Sequence, residues 1–83
     1  MRAFTRDHQV IAAWAAERGA SPARVRGARV LRLAFGPLPR NWEPIAWDEF
    51  FATFDADGLV FMYEEAAGSR ICKLVRATLA EEG

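Results

Sequence analysis

The sequence has few of the side chains that build metal sites and covalent cross-links, since its 83 residues include one cysteine, Cys72, and one histidine, His8. A lone cysteine cannot form an intramolecular disulfide, which is typical of proteins in a reducing cytoplasm. One cysteine and one histidine also fall short of the four ligands of a zinc site. A Cys–His nucleophile pair would need a third group to orient it, and Cys72 is better explained as a small hydrophobe on an apolar strand face.

Long apolar runs and phosphate-binding loops are missing as well. No apolar stretch approaches the roughly 18 residues of a membrane span, and the charged start "MRAFTRDHQV" does not have the pattern of a signal peptide. The glycines of "GARVLRLAFG" have the wrong spacing for either common phosphate-binding loop. We therefore expect a cytoplasmic protein that uses no membrane, no metal and no cofactor.

The length limits the size of the core. A chain of 83 residues is expected to form a single domain over residues 1–83, and it buries only roughly 60–65% of its unfolded surface. Six Phe, three Trp and one Tyr supply one aromatic core. A core together with a deep catalytic cleft is difficult to build at this size, so the length indicates a protein that is not an enzyme.

Two segments have the apolar periodicity of helices. A first helix is predicted to begin at Thr5 or Asp7 and to end near Arg18, with alanines in its interior that favour helix. The segment "WDEFFATF" predicts a second helix, because its four aromatic residues recur at helical spacing. Gly58 in "DADG" is suited to the left-handed stop of that helix.

Alternating apolar residues predict two pairs of strands. The stretch "PARVRGARVLRLAFG" divides into Ala23–Arg26 and Arg29–Phe35, which are joined by a tight turn or run as one long strand with a bulge at Gly27. The segments "LVFMYEE" and "RICKLVRA" flank the turn "AAGS" and predict a second hairpin. The proline-rich "GPLPRNWEP" predicts an ordered connecting loop, and "TLAEEG" a short helical turn or a frayed tail.

Together these elements predict an α+β fold with the order α-β-β-α-β-β, in which two helices pack on one face of an antiparallel sheet of three or four strands. The core is expected to contain ten residues drawn from these elements: Val10, Ile11, Trp14, Leu31, Leu33, Phe50, Phe51, Phe54, Phe61 and Leu74.

The stretch "TFDADGLVFMYE" matches part of a calcium-binding EF-hand loop, with Asp55, Asp57 and Glu64 at loop positions 3, 5 and 12. Position 1 is Thr53, which offers no carboxylate. The segment that follows alternates like a strand, whereas an EF-hand needs a second helix there. We therefore interpret "DADG" as a helix stop and turn, and we expect no calcium site.

Charge is distributed unevenly, although the net charge is zero. Eight arginines and two acidic residues give residues 1–40 a net charge of +6, and residues 41–83 carry −6. The basic half contains a cluster of four candidate polyanion-binding residues, namely Arg24, Arg26, Arg29 and Arg32. On neighbouring strands they would form a row able to meet phosphates. We favour the simpler interpretation that the two halves pack together and neutralise each other, or that the charges keep sheet edges from aggregating.

Three blocks of the chain, "FTRDHQVIAAWAAERGASPARV", "IAWDEFFATFDADGLVFMYEE" and "SRICKLV", resemble in order the segments of a small family of uncharacterised bacterial proteins of about this length. Some members carry the label alpha-glucan branching enzyme. The resemblance covers nearly the whole chain and implies no catalytic residues. Ala46 stands where family sequences tend to have serine, so a helix cap worth about 1 kcal/mol is missing.

A branching enzyme is built on a barrel of about 250 residues with two supported carboxylates, which 83 residues do not accommodate.

Small size, missing catalytic chemistry and polarised charge predict a non-enzymatic protein-interaction or accessory domain, with a protein partner or self-association through exposed sheet edges or opposite charges. The alternative is a nucleic-acid-binding domain that uses the arginine-rich β-ribbon. Arg70, Lys73 and Arg76 would extend that ribbon if the second hairpin lies alongside it. A nucleic acid is the less favoured partner, because the domain as a whole carries no net charge.

Overall fold

The computed structural model describes residues 1–76, and this part of the chain forms two helices and six strands. In chain order they are β1 (Arg2–Thr5), α1 (His8–Glu17), β2 (Ala20–Val25), β3 (Leu31–Phe35), β4 (Trp42–Pro44), α2 (Trp47–Ala56), β5 (Leu59–Glu64) and β6 (Cys72–Arg76). The α+β class is confirmed, and β1 and β4 extend the predicted order of elements. Neither helix of residues 1–76 is long and apolar enough to cross a membrane. The segment "TLAEEG", for which we predicted a helical turn or a frayed tail, lies outside the described residues.

The two helices begin differently. At the start of α1, Asp7 Oδ1 accepts hydrogen bonds from the backbone N–H of Gln9 at 2.9 Å and of Val10 at 3.3 Å, which satisfies amides that have no partner within the helix. Helix α2 follows Ala46 and has no side-chain cap, as the missing serine led us to expect. Two acidic residues in the first turn of α2 interact favourably with the helix dipole instead.

The strands of residues 1–76 form two antiparallel sheets of three strands, in the orders β1-β5-β6 and β3-β2-β4. The structure thus has two sheets, whereas we predicted one sheet of three or four strands. The β2–β3 hairpin turns at residues 26–30, where Gly27 has a φ of 79° that favours glycine. A turn and not a bulge therefore joins these strands, which span residues 20–25 and 31–35 instead of the predicted 23–26 and 29–35.

The prediction of a loop throughout "GPLPRNWEP" is wrong at its C-terminal end. Trp42–Pro44 forms β4, which pairs with β2 so that Trp42 lies opposite Val25 and Pro44 opposite Ala23. A proline lacks the N–H that a central strand needs, but it is tolerated in a short edge strand. The N-terminal strand β1 was not predicted either, and it pairs with β5 with Phe4 opposite Met62.

Both helices and both sheets contribute to one core. Its buried members are Ile11, Trp14, Ala15, Leu31, Leu33, Phe50, Phe54 and Phe61. Phe51 and Leu74, also expected there, are partly buried and pack against it. The prediction for Val10 is wrong, since its exposed fraction is 37%. The buried face of α1 runs through Ile11, Trp14 and Ala15, which leaves Val10 at its margin.

Candidate functional site

The clustered arginines lie on or beside the β2–β3 hairpin, and Arg24 is the most strongly paired of them. Its Nε and Nη2 donate to Glu43 Oε1 at 3.0 and 2.7 Å, and its Nη1 donates to Glu49 Oε2 at 2.6 Å. These hydrogen bonds, that to Glu43 above all, raise the pKa of Arg24 above its ordinary value. Arg24 therefore joins the hairpin to β4 and to the first turn of α2.

Two further arginines of the cluster are paired with acidic residues from the second half of the chain. Arg29 Nη2 donates to Asp57 Oδ1 at 2.7 Å, and this hydrogen bond lowers the pKa of Asp57 below its usual range. Arg26 Nη1 lies 3.5 Å from Glu43 Oε2. These pairs are the neutralisation between the two halves that we favoured, and they leave Arg24, Arg26 and Arg29 engaged instead of aligned in a free row.

Arg32 differs from the other three because it contacts no carboxylate within salt-bridge distance in residues 1–76. Its guanidinium carbon lies 5.8 Å from the centre of the Trp42 ring, and its Nη1 donates to the backbone C=O of Leu31 at 3.3 Å. The charge of Arg32 is therefore available on the surface beside β3.

The acidic residues of the EF-hand-like stretch each have another partner. Asp55 Oδ1 lies 2.9 Å from Nε2 of His8, whose ring stacks on Phe51 at 4.1 Å. Asp57 is held by Arg29 as described above, and Glu64 pairs with the amino group of residue 1. Within residues 1–76, His, Cys, Asp and Glu side chains do not gather in groups of three or more that could hold a metal ion.

A groove runs between β3 and β6, which are edge strands of the two sheets. We call it the edge groove. It consists of two neighbouring cavities of about 370 and 210 Å³ that share Leu31, Arg32 and Leu74 in their linings. Apolar side chains of both sheets line the larger cavity, and their list is Leu31, Leu33, Phe35, Phe61 and Leu74. The larger cavity lies at the lower end of the range of about 300–1,000 Å³ that is typical of ligand sites.

The edge of β3 that lines the groove has backbone groups without a partner strand, although the C=O of Leu31 accepts a side-chain hydrogen bond from Arg32 Nη1. In the β2–β3 hairpin the N–H of Val25 donates to the C=O of Val30 at 2.9 Å. Hydrogen-bonded and non-hydrogen-bonded pairs alternate along an antiparallel ladder. The register therefore directs the backbone N–H and C=O groups of Leu31, Leu33 and Phe35 away from β2 and toward the groove.

The edge of β6 that lines the groove also has backbone groups without a partner strand. The N–H of Glu64 donates to the C=O of Ile71 at 3.0 Å, which fixes the alternation in the β5–β6 hairpin. The backbone groups of Cys72, Leu74 and Arg76 therefore point away from β5. No backbone hydrogen bond connects β3 with β6 in the described part of the chain, and residues of both strands line the larger cavity, so both open edges border the groove.

The edge groove is positively charged. Four cationic side chains line it without an ion pair to any carboxylate among residues 1–76, and they are Arg32, Arg70, Lys73 and Arg76. The fifth cation of the lining, Arg29, is balanced by Asp57. Sequence reasoning named Arg70, Lys73 and Arg76 only as an extension of the arginine ribbon, because the sequence does not say which strands become edges.

Cys72 lies in the lining of the groove and is half-buried. Burial raises the pKa of its thiol, so little thiolate is present at neutral pH. The structure places His8 against Phe51 and Asp55 of α2, whereas Cys72 lies on β6. His8 and Cys72 therefore lie on different elements with different contacts, and the structure does not bring them together as a Cys–His pair.

No family model matches this chain, and no curated protein and no solved structure matches it either.

Proposed function

We propose that this protein is a non-enzymatic interaction domain of the bacterial cytoplasm that binds an extended segment of a partner protein in the edge groove. The observation that carries the proposal is the pair of open strand edges, five residues each, that border one groove with apolar walls. An extended peptide has donors and acceptors on both of its sides, so it can add to such edges as a new strand.

The other two edge strands of the structure support this choice. The strand β4 has three residues and ends with Pro44, and β1 has four residues. Short strands and proline are common ways to keep a sheet edge from pairing with another chain. The edges of β3 and β6 are longer, and the walls between them are apolar, so they are the better template for an added strand.

The titratable groups of the groove favour binding over catalysis. Cys72 has a raised pKa because of burial, and Asp57 is engaged by Arg29. The remaining charged groups of the lining are arginines and a lysine, which bind anions but do not serve as general bases while protonated. We therefore assign the groove a binding role.

The proposal is tested by selecting linear peptides from a random library on the immobilised protein and measuring how fast iodoacetamide alkylates Cys72, the one thiol of the chain. Peptides that fill the groove should slow the alkylation several-fold. The same peptides with N-methylated backbone amides should lose this protection, because N-methylation removes the donors of the added strand. The proposal is refuted if no selected peptide slows the alkylation, or if N-methylation leaves the protection unchanged.

Nucleic acid binding is the second candidate, and the four cations of the groove without ion pairs favour it. It predicts salt-sensitive binding to single-stranded DNA or RNA that weakens in the variants Arg32→Glu and Arg70→Glu, which reverse two of these charges. The variant Arg26→Glu is the control, because Arg26 lies near Glu43 and outside the lining of the groove. Retention of neither polymer at low salt would remove this candidate.

A further inference from the structure

We infer that the segment bound in the edge groove is acidic, with carboxylate side chains that alternate with apolar ones over about five residues. This inference rests on the proposed function and gives the chemistry of the partner. It is carried by the charge of the groove and by the alternation of side chains along its two edges.

The charge of the groove favours an occupant of opposite charge. The groove has four cations without an ion pair among residues 1–76, while its one lining carboxylate, Asp57, is paired with Arg29 and is also attracted by the charge of Arg76. Arg70 lies at one end of the groove and Arg76 at the other, because they line different cavities. An occupant with carboxylates would meet opposite charge along its whole length, and a basic occupant would be repelled.

The side chains of β3 and β6 alternate between an inward apolar face and an outward charged face. On β3, Leu31 and Leu33 are buried and Arg32 between them is exposed. On β6, Lys73 is exposed and its neighbour Leu74 packs against the core. The leucines thus point inward on both edges, and Arg32 and Lys73 point outward.

A strand between these edges places successive side chains on the same two faces. Its inward residues would contact the apolar walls formed by Leu33 and Leu74, and its outward residues would lie between Arg32 and Lys73. Apolar residues fit the first set of positions and carboxylates the second. The lengths of β3 and β6, five residues each, set the length of the paired segment.

The main experiment compares three synthetic peptides of seven residues: one that alternates Val and Glu, one that alternates Val and Lys, and one with the first composition arranged in two blocks. Alkylation of Cys72 by iodoacetamide and calorimetry are the measurements. We expect the alternating acidic peptide to slow the alkylation at least about fivefold, and its affinity to fall roughly tenfold or more between 50 and 500 mM NaCl, because salt screens exposed charges. The other two peptides should give no protection.

Variants of the protein provide matched controls. Lys73→Glu should weaken binding of the acidic peptide about tenfold, because it reverses one charge in the outward row. Arg40→Glu changes an exposed arginine outside the lining of the groove and should leave the affinity within about twofold. An unchanged thermal unfolding curve confirms that each variant is folded.

The outcomes separate this inference from the proposed function. Protection of Cys72 by the basic peptide or by the block peptide, or by library peptides but not by the alternating acidic one, would overturn this inference and leave the interaction domain standing. Protection neither by the three peptides nor by any library peptide would refute both. Protection by an oligonucleotide but not by the acidic peptide would assign the groove to nucleic acid. Protection that rises with protein concentration alone would identify a second copy of the chain as the occupant. Both of these last results overturn the inference.

Discussion

Removal of the Arg18 guanidinium should destabilise the protein more than any other change of a charged side chain described here. The Arg18 side chain is only 6% exposed. Its Nε donates to the C=O of Ser69 at 2.5 Å, Nη2 to the C=O of Ala66 at 3.0 Å, and Nη1 to the C=O of Trp14 at 3.1 Å. The guanidinium carbon also lies 4.3 Å from the centre of the Trp14 ring. One side chain thus ties the end of α1 to the turn between β5 and β6.

The magnitude follows from these contacts. Arg18→Met keeps most of the apolar stem and removes three hydrogen bonds from a charged donor to backbone C=O groups, each with a net contribution of about 1.5 kcal/mol. It also removes the contact of Nη1 with the exposed carboxylate of Glu17 at 3.3 Å, which contributes little. The cation–π contact adds about 0.5–1 kcal/mol, and the relief of guanidinium desolvation offsets part of the sum. The free energy of unfolding should fall by about 2–4 kcal/mol, from a total of roughly 4–12 kcal/mol for a chain of this length. For a domain of this size the Tm falls about 4–8 °C per kcal/mol, which gives a decrease of about 8–32 °C.

Urea unfolding followed by circular dichroism measures this loss, with two matched variants. Arg18→Lys keeps the charge but not the planar fork, so it should fall between the wild type and Arg18→Met. Arg26→Met removes an arginine whose side chain is 63% exposed, with one carboxylate oxygen at 3.5 Å, and should change the free energy by less than about 0.5 kcal/mol. If Arg18→Met unfolds at the same urea concentration as the wild type, the buried guanidinium does not hold the turn and the reasoning is wrong.

Three further predictions concern the core, the end of α2 and the response to pH. Phe54→Ala should lower the free energy of unfolding by about 3–5 kcal/mol in urea titrations, because Phe54 is 1% exposed in the core. Gly58→Ala should cost about 1 kcal/mol in the same assay, since the φ of 63° strains any side chain although the space for a Cβ is open. Arg29 lowers the pKa of Asp57, so this pair should contribute stability above the unfolded pKa of about 3.9 and lose it as the pH falls through the lower folded value. Unfolding midpoints measured from pH 7 to pH 2 should therefore fall less steeply in Asp57→Asn, and an identical acid slope would contradict the assignment.

The sequence alone was sufficient to predict an element when the pattern of that element's own side chains determines its structure. The second helix could be predicted because the aromatic residues of "WDEFFATF" recur at helical spacing, and the structure places Phe50 and Phe54 in the core. Its end could be predicted because Gly58 adopts the left-handed conformation that this residue type permits. The β5–β6 hairpin was predictable for a similar reason, since alternation and a turn sequence lie within one short stretch.

The strands β1 and β4 could not be predicted in this way. With four and three residues they are too short to show a period of two, and each forms because a distant strand offers a free edge. The strand β1 pairs with β5, which lies more than fifty residues away. The pairing of Glu43 with Arg24 across β4 and β2 likewise depends on tertiary structure. Local patterns do not contain this information.

The edge groove is a property of strand order, and for that reason it was not visible in the sequence. Arg32 and Lys73 are forty-one residues apart, and they line one groove only because β3 and β6 are both edge strands. The arginine cluster, which was visible, is divided by the fold: Arg24 and Arg29 hold carboxylates, while Arg32 contributes to the groove. Closeness in sequence therefore suggested a larger free arginine cluster than the structure has. It did not reveal the cations of β6 that lie near Arg32 in the fold.

The net charge of zero favours a short acidic segment over a long polyanion as the occupant. The four cations of the groove are balanced by acidic residues elsewhere in the chain, so the molecule has no overall attraction for negative charge. At physiological ionic strength a charge acts over about 8 Å, so an occupant gains from the groove only while it lies inside it. A segment of about five residues fits within the lengths of β3 and β6. A nucleic acid strand that continues beyond the groove would gain nothing there from the four cations inside it.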